Sequence, residues 1–116
     1  MNKFKIMNVV QSFECSSSGI QMIYTMLQLT DALGNTEKLS FKSDETLPRQ
    51  SLDVITKLLN KRRTGDTHVN WFDLNEDINS HLSYLYNEHG IDAEFTLYEK
   101  SFSFPDKIED RSSQIL

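Results

Sequence analysis

The chain has 116 residues, 38% of them hydrophobic, and twelve basic against seventeen acidic side chains leave a formal charge of −5. That length is one domain able to bury a core of its own, and the acidic balance offers no basic field to hold nucleic acid or an anionic membrane surface. A single cysteine excludes an internal disulfide, which fits a reducing, cytoplasmic setting.

The opening "MNKFKIMNVV" has an apolar stretch too short for a signal peptide and no small-residue cleavage site. No run in the chain approaches the ~20 apolar residues of a membrane span. Residues up to Cys15 read as an extended segment. In "IQMIYTMLQLTD", residues 20–31, the polar positions Gln21, Thr25 and Gln28 are spaced four and three apart. That spacing predicts one narrow polar stripe on a helix that is otherwise apolar all round, and therefore buried all round. Ser16, Ser17 and Ser18 are its candidate N-caps.

Gly34-Asn35 marks a turn and Pro48 a stop, with a short strand or hairpin at 38–42 between them. A second helix is expected over about 50–63, N-capped by Ser51, with Leu52, Ile55, Leu58 and Leu59 as its apolar face. Lys61-Arg62-Arg63 reads as its cationic last turn. A third helix fits 72–89, with Leu74, Ile78, Leu82 and Leu85 on one side, and Gly90 in the left-handed position that ends it. Trp71 and Phe72 at its start read as a packing staple. "AEFTLYEKSFSF" is rich in β-formers and predicts a strand, interrupted by Pro105. The whole reads as one α+β domain over 1–104, followed by a tail, 105–116, that begins a truncated helix.

Cys15 carries two readings. A cysteine nucleophile acts as a thiolate, favoured by the positive end of a helix, and a glutamine upstream can donate to an oxyanion. Gln11 stands four residues before Cys15. Equally, a free cysteine is among the most buried residue types and commonly serves as a small hydrophobe.

"VVQSFECSSSGIQMIYTMLQL" resembles the start of papain-like cysteine peptidases of the bacteriocin-processing kind: a glutamine, a short gap, a cysteine followed by small residues, then an apolar helix. "PRQSLDVITKLLN" is similar to the family's second helix, "TGDTHVNWFDLNEDINSHL" to its glycine-threonine turn and third helix, and "DAEFTLYEK" to the strand that follows. The resemblance implies a papain-like helical lobe: a buried central helix, two amphipathic helices and a small antiparallel sheet. Cys15 would be the nucleophile and Gln11 the oxyanion donor. Ser16 departs from the family's glycine after the cysteine. The family's histidine and its orienting Asp or Asn lie beyond the point matching Lys100, so this chain alone would be incomplete or inactive. A second chain or a second copy would then complete the fold.

Among the histidines present, His68 has loop freedom and Asp66, Asn70 and Asp73 as neighbours, which makes it the candidate base. His81 reads as a packed boundary residue and His89 as a cap on the helix end. His81 and His89 are eight apart, which is no metal-ligand spacing, and the scattered glycines make no phosphate loop, so no cofactor is implied. The alternative is a small acidic, non-enzymatic protein that binds a protein or peptide partner, such as a bacterial immunity or inhibitor protein. Tyr84, Tyr86, Tyr98, Phe102 and Phe104 would be its aromatic anchors.

Overall fold

The computed structural model of the chain describes residues 2–65 and 68–96. These form β1 (Lys5–Cys15), β2 (Gln21–Thr30), β3 (Thr36–Ser43), α1 (Arg49–Lys61), α2 (Trp71–His89) and β4 (Ala93–Thr96). The four strands make one antiparallel sheet in chain order, β1-β2-β3-β4. The α+β class holds, with both amphipathic helices where their periodicity placed them.

The buried central helix expected over 20–31 is instead β2, the second strand of the sheet. Its buried residues are Ile23, Thr25, Leu27 and Leu29, every second position. The alternate set, Met22, Tyr24, Met26, Gln28 and Thr30, points to the opposite side. Three of that set are large and apolar, so the two-residue period is masked and the run looks apolar on all sides. The β-branched Ile23 and Thr25 with Tyr24 suit a pleated strand, and pairing on both sides satisfies its backbone.

The serines expected to cap that helix turn the chain instead. Ser16 N–H donates to the Ile20 carbonyl at 2.9 Å, and Gly19 N–H to the Ser16 carbonyl at 2.9 Å. Ser16 Oγ accepts from Ile20 N–H at 3.1 Å. Gly19 sits at φ +85°, in the left-handed region glycine enters without Cβ strain. "SSSGI" is therefore a hairpin turn, and Cys15 ends a strand.

The core lies on one side of the sheet. Leu27, Leu29, Leu39 and Phe41 meet Leu52, Ile55 and Leu59 of α1 and Leu74, Ile78, Leu82 and Leu85 of α2. α1 begins after Pro48, whose extended backbone takes the N-cap position with no side-chain cap. Ser51, the expected cap, lies inside the first turn and is buried. α2 is capped by Asn70, whose side chain accepts from Asp73 N–H at 3.2 Å, and it ends at Gly90 with φ 69°. Trp71 packs against the core, whereas Phe72 is 73% exposed, so only half of the expected staple forms.

Two adjacent arginines tie these layers together. Arg62 closes α1 and reaches Asp77 of α2 through Nε at 2.7 Å and Nη2 at 3.2 Å. Arg63 turns the other way, and its Nη2 donates to Asp31 Oδ2 at 2.5 Å with both side chains buried. Its guanidinium lies 4.0 Å from the centre of the Phe4 ring, and Nη1 donates to the Asn2 carbonyl at 3.3 Å. Asp31 also accepts from the N–H groups of Leu33 and Asn35 and from Asn35 Nδ2, each at 2.9 Å. Asn60 of α1 clamps the start of β1, accepting from Phe4 N–H at 2.8 Å and donating to its carbonyl at 3.0 Å.

Burial pushes the Asp31 carboxyl up, but the hydrogen bonds from Asn35, Arg63 and two backbone N–H groups outweigh it and hold the group well below the usual carboxylate range. A depressed folded pKa adds stability that is present above the unfolded value, ~3.9 for aspartate, and lost as pH falls below it. Equilibrium unfolding followed from pH 6 down to about 2 should show a steep acid limb that is shallower in Asp31→Asn. In the core, Leu27→Ala should cost about 2–5 kcal/mol in denaturant unfolding, the range for a fully buried leucine.

Candidate functional site

Gln11 and Cys15 project from the same face of β1, opposite Thr25 and Gln21 of β2, and both are exposed. The positive helix end expected at Cys15 is absent, because a hairpin and a strand follow it. His68 lies at the other end of the molecule. Its carbonyl accepts from Thr64 N–H, and the neighbouring Val69 bridges to Arg63, which is bound to Asn2 and Asp31 where β2 ends. Cys15 lies at the far end of the ten-pair β1–β2 ladder, on the order of 30 Å away at ~3.3 Å per residue. The structure brings Gln11 and Cys15 onto one strand face and leaves His68 far from both.

The neighbours suggested for His68 have other work. Asn70 and Asp73 are engaged with each other in the cap of α2, with Asn70 Nδ2 donating to Asp73 Oδ2 at 2.8 Å. Asp66 lies outside the described residues. His81 stacks on Tyr84 with centroids 5.8 Å apart, and burial lowers its pKa. No group of three or more His, Cys, Asp or Glu among the described residues is arranged to hold a metal ion. Nor does any described helix have the length and apolarity to cross a membrane.

The prominent surface is the side of the sheet opposite the helices. The register puts Val10 beside Met26 and Met26 beside Ser40, and likewise Ser12 beside Tyr24 and Tyr24 beside Lys42. Thr96 of β4 continues the first row and Glu94 the second. Val10, Ser12, Tyr24, Met26, Ser40, Lys42 and Thr96 line a shallow concavity of about 320 Å³. Val10 is 46% and Tyr24 39% exposed. Among the described residues no helix covers this face. Of the aromatic anchors expected from the sequence, Tyr84 and Tyr86 are exposed on α2, whereas Tyr98, Phe102 and Phe104 lie outside the described residues.

The sequence pattern hides this surface because its middle residues, Tyr24 and Met26, fall in the run expected to be a buried helix. The usable signal was the glycine of "SSSGI" between two runs of β-formers, a hairpin pattern. Exposure of Cys15 has a direct consequence. Iodoacetamide should label it in the native protein at a rate close to that in urea, and Cys15→Ala should change unfolding free energy by no more than about 0.5 kcal/mol, the range of a surface substitution. No protein-family model, curated protein or solved structure matches the chain.

Proposed function

We propose that this chain is a non-enzymatic binding module that holds an extended, apolar segment of a partner protein on the face of its sheet opposite α1 and α2. The observation that supports this reading is the concavity around Val10, Tyr24 and Met26. A sheet face of this kind is ordinarily covered or polar, and a contiguous exposed apolar patch marks an interaction surface. Tyr24 offers the amphipathic ring that contributes most per residue at interfaces. Ser12, Ser40 and Thr96 supply hydroxyls on the rim for a partner's backbone, and Lys42 the single charge.

The peptidase reading rests on the resemblance of the segment around Cys15. A thiol on a strand end lacks the positive helix end that would favour its thiolate, and among the described residues no histidine lies beside it.

Peptides selected from a random display library on the full chain provide the test. Their binding should weaken about tenfold or more in Met26→Asp, the loss of one well-packed anchor, and stay unchanged in Cys15→Ala. Selected peptides that bind Met26→Asp as well as wild type place recognition elsewhere. Cleavage of those peptides that stops in Cys15→Ala would restore the peptidase reading.

A further inference from the structure

The long edge of β1 remains unpaired among the described residues, since β1 bonds only to β2. The phase of that ladder follows from the turn. Ser16 N–H bonds the Ile20 carbonyl, so Glu14, Ser12 and Val10 share hydrogen bonds with β2, and Val9, Gln11, Phe13 and Cys15 direct their N–H and C=O groups outward. Asn8 Oδ1 accepts from Val9 N–H at 3.0 Å, consistent with that group facing the open edge. From Ile6 to Phe13 no charge and no proline interrupts the strand, the two devices that commonly protect an edge. Met7, Val10 and Phe13 are 55%, 46% and 60% exposed.

We infer that this edge pairs with a second copy of the chain, β1 against β1 in antiparallel register about a two-fold axis at Val10, making one eight-stranded sheet. The pattern of β1 is self-complementary in that register. The bulge between Ile6 and Asn8 brings Ile6 and Lys5 into phase with the far end of the partner strand. Val10 then meets its own copy, and Val9 meets Gln11. Ile6 meets Phe13, and Lys5 meets Glu14, once on each side of the axis. Both charged residues lie on the outer face and both are exposed, so the two ends of the edge carry opposite charges that an antiparallel copy matches. Phe13 projects on the helix side of the sheet, beyond its own core. In the dimer it lies across from Ile6, which packs against the partner's core, and beside the end of β1 that Asn60 of α1 clamps. The bond from Asn8 to Val9 is replaced by a carbonyl of the partner strand. This inference does not depend on what the concavity binds, and Val10 is the residue the two surfaces share.

Sedimentation of the full chain at micromolar concentration should give a dimer. Val10→Asp, at an exposed position, sets two carboxylates face to face on the axis and should give a monomer with unchanged circular dichroism. Lys5→Glu should raise the dimer dissociation constant about tenfold through two like-charge contacts, and adding Glu14→Lys should restore it. In a Cys15→Ser background, Val10→Cys should cross-link on mild oxidation, because residues paired across an axis stand ~4.5–5.5 Å apart at Cα. A monomeric wild type, a dimer that survives Val10→Asp, or a charge swap that fails to restore association overturns the inference.

Discussion

The Asp31–Arg63 pair is the point on which the layers depend. A carboxylate and a guanidinium removed from water are each costly unless they are hydrogen-bonded, and here Asp31 accepts four bonds while each nitrogen of the Arg63 guanidinium donates one. Asp31 accepts from the turn that joins β2 to β3 and from Arg63, while Arg63 also holds the chain at Asn2 and lies over Phe4. Three segments distant in sequence thus meet at one ion pair: the start of β1, the β2–β3 turn and the exit from α1. Arg62, one residue earlier, fastens α1 to α2. Hydrophobic burial supplies most of the driving force, but it is indifferent to small sliding of a helix pair over a flat sheet. The two arginines remove that freedom by requiring particular acids at fixed places.

The helices were legible because each carries a single apolar face. Leu74, Ile78, Leu82 and Leu85 recur at helical spacing, and Gly90 closes the pattern with the backbone that glycine takes easily. β2 was not legible, and the reason is its two neighbours. Leu27 and Leu29 face a helical core, whereas Met22, Tyr24 and Met26 face outward yet are apolar. A strand whose solvent side keeps hydrophobic residues has no alternation to read. The reading of "KRR" as a cationic helix end was sound for Lys61, but sequence spacing holds no information on the acids that Arg62 and Arg63 find 15 and 32 residues away.

The candidate site around Cys15 depends on the same stretch of chain. A helix over 20–31 would give Cys15 a dipole and Gln11 a role beside it. On a strand that ends in a hairpin, the cysteine is an exposed side chain with no helix end behind it. The features that remain unusual among the described residues are the apolar face of β1 and β2 and the unpaired edge of β1, where large apolar residues stand exposed. One strand pair thus accounts for the failed helix assignment and for the two surfaces proposed to bind.

The helices enter and leave the sheet side by side. Ser43, at the end of β3, is the ladder partner of Ala93, at the start of β4, and Asp44 and Asp92 exchange backbone and side-chain hydrogen bonds at 3.1 and 3.0 Å across the gap. The whole helical layer is therefore an insertion whose two ends are one strand spacing apart, ~4.8 Å. The meander would be continuous without it. Such an arrangement separates two design problems, because the intervening segment can change in length or helix number without stretching the strands on either side. The sheet supplies the exposed surfaces, and the insertion serves as the replaceable backing that keeps their other side dry.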